Sequence, residues 1–157
     1  MRSQLSSAVV TLCLLTLTSR TAQGQTTAEA RKLYDAAVQD AKRSFLKCDP
    51  EGMSDVAADY TGVNFEGNVT KGRAAELKSN RDFCAANTFT VFDLTTTDFH
   101  SSGPVVWAAG TLTAAYKPKA TGKEEKKSLH FLTTFAIQNK KLVQQYFMTA
   151  PMAPEKK

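Results

Sequence analysis

Thr88-Phe89-Thr90-Val91-Phe92-Asp93-Leu94-Thr95-Thr96-Thr97-Asp98-Phe99-His100 is where the chain changes character. Threonine, valine and phenylalanine dominate the run, as a pleated and half-buried surface favours. The same composition recurs downstream. Ser101-Ser102-Gly103-Pro104 turns the first long strand, and a second runs from Val105 to about Lys117. A Lys/Glu-rich tip leads into a third, Ser128 to Gln138. Asn139-Lys140 makes a tight turn into a last strand, Leu142 to Thr149. The second half of the chain is therefore predicted to be an antiparallel meander.

Upstream of Thr88 the period is helical. Thr26-Thr27-Ala28-Glu29 has the form of a capping box, in which the Thr side chain and the Glu side chain each satisfy the other's backbone N–H. Ala30, Leu33, Tyr34, Ala37, Val38, Ala41 and Phe45 follow at steps of three and four, one stripe of a helix ending near Lys47. Asp49-Pro50-Glu51 restarts the chain, with Asp at an N-cap and Pro where its missing N–H costs nothing. A short second helix is expected to run to about Asp59, and Tyr60-Thr61-Gly62-Val63-Asn64-Phe65 reads as a short strand. Thr70 is placed to cap a third helix over Gly72 to Ala86, with Ala74, Leu77 and Phe83 or Cys84 facing inward. Helices first and a meander after predict an α+β domain with the helices on one face of the sheet.

The first residues have a different job. Arg2 precedes an apolar stretch from Leu5 to Thr18, and Ala22-Gln23-Gly24 presents small residues on either side of one position. A charged start, a short apolar run and a small-x-small site predict a secretory signal peptide over residues 1–24, cleaved near Gly24. A membrane span would need about 20 predominantly apolar residues, and this stretch is shorter and rich in Ser and Thr. Residues 25–152 then form one domain, with a short basic tail at 153–157, and no stable membrane insertion is expected after cleavage. The protein is expected to be secreted or periplasmic.

The chain carries a net charge of +5. The leader removes Arg2 and Arg20 and no acid. All of the remaining excess sits between Lys117 and Lys127, where Lys117, Lys119, Lys123, Lys126 and Lys127 face only Glu124 and Glu125. A nucleic-acid protein spreads its cations over a face, often with aromatics between them. One lysine-rich loop reads instead as a solvated hairpin tip, so no nucleic-acid partner is expected. Outside the leader two cysteines remain, Cys48 and Cys84. Export would let them form a disulfide, and the loop is long enough for the chain-entropy model to credit it with roughly 4 kcal/mol. Two buried free thiols are the alternative.

The order of elements resembles the nuclear transport factor 2-like superfamily, in its SnoaL-like and ketosteroid-isomerase-like branches. The resemblance rests on Asp49-Pro50-Glu51-Gly52, Val56-Ala57-Ala58-Asp59-Tyr60 running into Val63-Asn64-Phe65, and Lys71-Gly72-Arg73. It continues through Trp107-Ala108-Ala109-Gly110-Thr111, then Thr133-Thr134-Phe135-Ala136-Ile137, a turn and a closing strand. It spans nearly all of residues 28–150. It implies a cone: a curved antiparallel sheet wrapped on three N-terminal helices, with an apolar pocket at the open end. Such folds serve isomerases, dehydratases, cyclases, epoxide hydrolases and many members without enzyme activity, so the fold alone does not specify a reaction. Ketosteroid isomerases place a proton-accepting carboxylate on the first strand and a tyrosine on the first helix. Aligned on Ala58-Asp59-Tyr60, those positions fall on Phe65 and near Lys42, and Glu66 should point to the other face. The closing strand carries Leu142 and Tyr146-Phe147-Met148, where many relatives have a Trp and a His.

The residues themselves hold few signals of chemistry. His100 and His130 are the only histidines. His130 alternates against Leu129 and Phe131, so it faces either solvent or the next layer, and with Asp93 it forms the candidate acid–base pair. Asp98 is a second strand carboxylate. No metal-ligand spacing, Gly-x-Ser-x-Gly elbow or phosphate loop occurs, and no cofactor or metal is expected. Asn68-Val69-Thr70 fits an N-glycosylation acceptor. Tyr60, Phe65, Trp107 and Tyr146 are the expected ligand-contacting residues; Tyr60, Trp107 and Tyr146 each combine a large apolar body with a polar handle. The reading favoured is an exported, non-catalytic protein that binds a small apolar ligand. Its alternatives are an isomerase-, dehydratase- or cyclase-type enzyme, and a homodimeric interaction module that associates through the sheet face and has a filled cone.

Overall fold

A computed structural model describes residues 26–152. The leader and the basic tail lie outside the described residues. Helix α1 (Thr27–Lys47) opens with the capping box: Thr26 Oγ1 accepts from the Glu29 N–H at 3.3 Å, and Glu29 Oε2 accepts from the Thr26 N–H at 3.0 Å. Ala30 and Tyr34 of its apolar stripe are buried, whereas Val38 and Phe45 are half-buried. A stripe buried at one end and half-buried along the rest is what a helix shows when it packs on a sheet and also borders a void. The helix ends at Cys48, whose backbone is left-handed (φ 50°), a common way to stop a helix. Cys48 is bonded to Cys84, with their Cα atoms 5.6 Å apart.

The second helix is shorter than expected. Helix α2 covers only Pro50–Met53, and strand β1 (Val56–Val63) takes up the segment that reads as helix in sequence. The cause lies in β1 itself. Its burial does not alternate: Val56, Ala57 and Tyr60 are buried while Ala58 and Asp59 are exposed, across a break in register between Val56 and Thr61. An irregular strand of this kind imitates the three- and four-residue spacing of a helix. Strand β2 (Val69–Lys71) pairs antiparallel with β1, Thr70 opposite Gly62. Thr70 is thus a strand residue rather than a cap. Gly72 is the N-cap of helix α3 (Arg73–Ala86). Within α3 the buried residue is Asn80; Leu77, Phe83 and Cys84 are half-buried and Ala74 is exposed.

The meander forms as predicted, with longer strands: β3 (Asn87–Ser102), β4 (Val105–Pro118), β5 (Glu125–Gln138) and β6 (Lys141–Pro151). Asn139 and Lys140 both take positive φ, 51° and 61°, as a two-residue hairpin turn requires. The sheet order is β2-β1-β6-β5-β4-β3. All neighbours are antiparallel except β1 and β6, which run parallel. The expected purely antiparallel sheet is therefore a mixed one. The meander alone would leave β6 with an unpaired edge, and β1 covers it. The sheet curves without closing, so β2 and β3 remain its edges. Gly110 permits part of that curvature: a Cβ there would lie 2.0 Å from the Thr95 carbonyl oxygen, beside the bulge between Thr96 and Asp98.

The packed half of the cone lies between α1 and β3–β5. Phe45 stacks on Phe92 with ring centroids 3.9 Å apart, and Tyr34 packs against Phe99 and Phe135. Beneath them Val106, Ala108, Leu112 and Phe131 are buried on the inner face. The disulfide fastens the end of α1 to α3 across a sequence separation of 36.

Candidate functional site

Between α1, the α2–β1 junction, α3 and the inner sheet face lies a cavity of about 590 Å³. That is within the range of small-molecule sites. Its walls are mainly apolar, with Leu33, Phe45, Leu94, Phe131 and Phe147 among them. Its rim reaches exposed residues of both charges, Asp40 and Asp55 against Lys140 and Lys141.

The polar groups inside it gather around β1 and α3. Tyr60 of β1 is only 3% exposed and lines the cavity. Its ring lies over Gly62, where a Cβ would come within 2.7 Å of the phenol oxygen; a larger residue there would push the ring away. The hydroxyl has no hydrogen-bond partner among the described residues. Yet no fully enclosed side-chain oxygen or nitrogen is left unsatisfied there, so this hydroxyl touches accessible space. The hydroxyls of Tyr34, Tyr116 and Tyr146 all have partners.

Helix α3 contributes Glu76 and Asn80, one turn apart. The Asn80 amide nitrogen donates to Glu76 Oε1 at 3.2 Å and to Ser54 Oγ at 3.1 Å. Burial pushes the Glu76 carboxyl above the ordinary range, opposed by the Asn80 bond. Burial and the nearby Glu76 charge push the Tyr60 phenol strongly upward. On β5 and β6, Gln144 Nε2 donates to Thr133 Oγ1 at 2.9 Å, and Thr133 donates to the Tyr146 carbonyl at 3.0 Å. The cavity thus combines apolar walls with a few polar groups, among them the linked set Tyr60, Glu76 and Asn80.

The residues expected from sequence divide between two faces of the sheet. Tyr60 and Phe65 line the cavity. Phe65 follows β1 in a turn that Asn64 organises, Oδ1 accepting from the Glu66 and Asn68 N–H groups at 3.0 and 2.9 Å. The Lys127 ammonium lies 5.4 Å from the Phe65 ring centroid. Trp107 is not among the cavity residues: it projects from the outer face of β4, 37% exposed, stacked on His100 at 4.3 Å. Strand alternation places it there, because its neighbours Val106 and Ala108 point inward and are fully buried. Tyr146 is outside as well, its hydroxyl against Met148 Sδ at 3.8 Å; the register break beside Gln144 puts Gln144 and Phe147 on the cavity side instead. His130 is exposed, opposite Thr111 and Ala150 on the neighbouring strands. Asp93 lies on edge strand β3 and is ion-paired to Lys42 at 2.9 Å. Strand β4 separates the two, and neither lines the cavity.

Sequence reasoning passed over Glu76, Asn80 and Gln144. A signal for the first two exists: Glu76, Asn80 and Phe83 recur at steps of four and three, the stripe of α3 that faces the cavity. A search for apolar stripes skips it because two of its members are polar. Among the described residues no three His, Cys, Asp or Glu side chains converge as metal ligands would, and no helix is long and apolar enough to cross a membrane.

By sequence, no family model and no curated protein matches the chain. Solved structures do match. A nuclear transport factor 2-like superfamily protein from Salmonella enterica serovar Typhimurium superposes with a TM-score of 0.71 at 11% identity, over 83% of this chain and 96% of the other. A ketosteroid isomerase-like protein from Erwinia carotovora atroseptica gives 0.67 at 12% identity, over 78% and 96%. A candidate Ca/calmodulin-dependent kinase II association domain from Exiguobacterium sibiricum gives 0.69 at 7% identity, over 84% and 100%. With its curved six-stranded sheet, its helices at the N-terminal side and these neighbours, the chain has the nuclear transport factor 2-like α+β cone fold.

Proposed function

We propose that this is an exported binding protein whose cone holds a small, largely apolar molecule by its body and fixes one polar group of it near Tyr60. The observation that carries the reading is the cavity of about 590 Å³, whose mainly apolar walls include the polar side chains of Tyr60, Glu76 and Asn80. Filling it would remove apolar wall from water, worth roughly 25 cal/mol per Å² buried. Export rests on the leader pattern of residues 1–24 and suits the Cys48–Cys84 bridge, which persists in oxidising compartments. The enzyme reading built on His130 and Asp93 loses its support, because the two side chains do not meet. Native mass spectrometry of the protein purified gently from its own compartment tests the proposal. A copurified small molecule of matching size supports it. A protein that is empty, and that also fails to take up hydrophobic probes, refutes it.

A dimer is the second reading, favoured by Val91, Val105 and Trp107, which stand exposed on the outer side of the sheet. The same spectrum reports it, and a monomer at micromolar concentration rejects it.

A further inference from the structure

We infer that the polar cluster of Tyr60, Glu76 and Asn80 in the cavity is built to receive a protonated primary amine, so that the ligand is a hydrophobic amine with its ammonium group beside Glu76 and Tyr60. The inference rests on the binding reading above and goes further by naming the group recognised.

Around Glu76 and Asn80 the side-chain atoms left without partners are acceptors. The Asn80 amide nitrogen is already used twice, on Glu76 and Ser54, which leaves the Asn80 oxygen without a partner among the described residues. Asn80 is 8% exposed, so the free oxygen belongs to a side chain that is otherwise enclosed. Glu76 Oε2 likewise has no partner among the described residues, the Asn80 bond engaging Oε1. Gln144 spends its nitrogen on Thr133, which leaves its oxygen as a third acceptor on the cavity wall. Against these stands Tyr60, whose hydroxyl can donate or accept. A ligand hydroxyl offers one hydrogen and a ketone offers none. A primary ammonium offers three.

Charge points the same way. Glu76 is half-buried, and none of the ion pairs among the described residues includes it. A carboxylate withdrawn from water without a cation is costly, and a partner restores much of the loss. Burial that raises the Glu76 pKa is the same penalty seen in the free protein. A bound ammonium supplies the missing partner, and the apolar cavity wall takes the rest of the molecule.

The test is isothermal titration calorimetry on the full chain near neutral pH with 4-phenylbutylamine and its neutral isostere 4-phenyl-1-butanol. The amine is expected to bind at least about tenfold more tightly, the worth of one well-made hydrogen bond to a charged group. Glu76→Gln keeps an acceptor for Asn80 and removes the charge. It should weaken the amine about tenfold and leave the alcohol within about twofold. An alcohol that binds wild type as tightly as the amine overturns the inference while leaving the binding reading intact. So does a Glu76→Gln variant that keeps the preference for the amine. If neither compound binds, the binding reading fails and the inference with it. A measurement on wild type alone guards against misfolding of the variant. The N,N,N-trimethyl analogue keeps the charge but has no N–H, and it should bind at least about tenfold more weakly than the primary amine. Equal affinity overturns the assignment.

Discussion

Tyr34 and Tyr60 both face the interior of this cone, and they sit in opposite circumstances. Tyr34 on α1 is 1% exposed, wedged between Phe99 and Phe135, and its hydroxyl shares a 2.7 Å hydrogen bond with Thr96. Tyr60 on β1 is nearly as buried, yet its hydroxyl meets no partner among the described residues. The Tyr34 half is finished: packed rings and one satisfied polar contact. The Tyr60 half is unfinished, with free oxygens on Glu76, Asn80 and Gln144 around a void. Burial alone therefore does not separate a structural residue from a recognition residue. What separates them is whether the polar atom already has its partner, because leaving a buried polar group unpaired costs about 1–3 kcal/mol unless something else supplies the bond.

The bridge between the halves is where the largest effect is expected. The disulfide ties the end of α1 to α3, and replacing both Cys48 and Cys84 by Ser should lower stability by about 4 kcal/mol in urea denaturation. The next test sets the tyrosines against each other. Tyr34→Phe strands the Thr96 hydroxyl and should cost about 1–2 kcal/mol. Tyr60→Phe removes a group with no protein bond to lose and should cost less than about 0.5 kcal/mol, while weakening any ligand held there. Equal losses would break the comparison.

The Glu76 carboxyl sharpens it through pH. Its folded pKa is raised by burial, so the folded state holds the proton more tightly than the unfolded chain. The group's contribution is therefore greatest at low pH and is lost as pH rises from the unfolded value through the raised folded one. Glu76→Gln should abolish that part of the decline in thermal midpoint on the way to neutral pH, with other groups cancelling in the difference. A wild type and variant that fall in parallel would mean the carboxyl is well solvated. The smallest effects belong to the outer surface. Asp93→Asn and His130→Ala should each shift stability by less than about 0.5 kcal/mol and leave ligand retention unchanged, because both side chains are exposed and off the cavity.

How legible the site was depended on the regularity of each element. In the meander, alternation and turn residues are local properties, so its four strands and the Asn139-Lys140 turn are readable directly from the chain. Alternation also places Trp107 on the outer face, since Val106 and Ala108 on either side of it are the small apolar residues that face a core. In β1 the register break disguised a strand as the tail of a helix. In α3 the functional stripe is polar, so a search for apolar periodicity looked past Glu76 and Asn80. Tyr146 could not be placed without the bulge beside it, which depends on the pairing with β5.

By itself the sequence determined the α+β order, the helix start at Thr26, the meander and the resemblance to a cone-shaped family. These follow from spacings within a few residues, where backbone geometry and side-chain period act. Tertiary structure alone decided that β1 lies parallel to β6, that Cys48 and Cys84 meet, and that Tyr60, Glu76 and Asn80 line one cavity. Those outcomes depend on how far the sheet curves and where its register slips. Both are set by contacts between residues distant in the chain, such as Gly110 against Thr95, which no local pattern encodes.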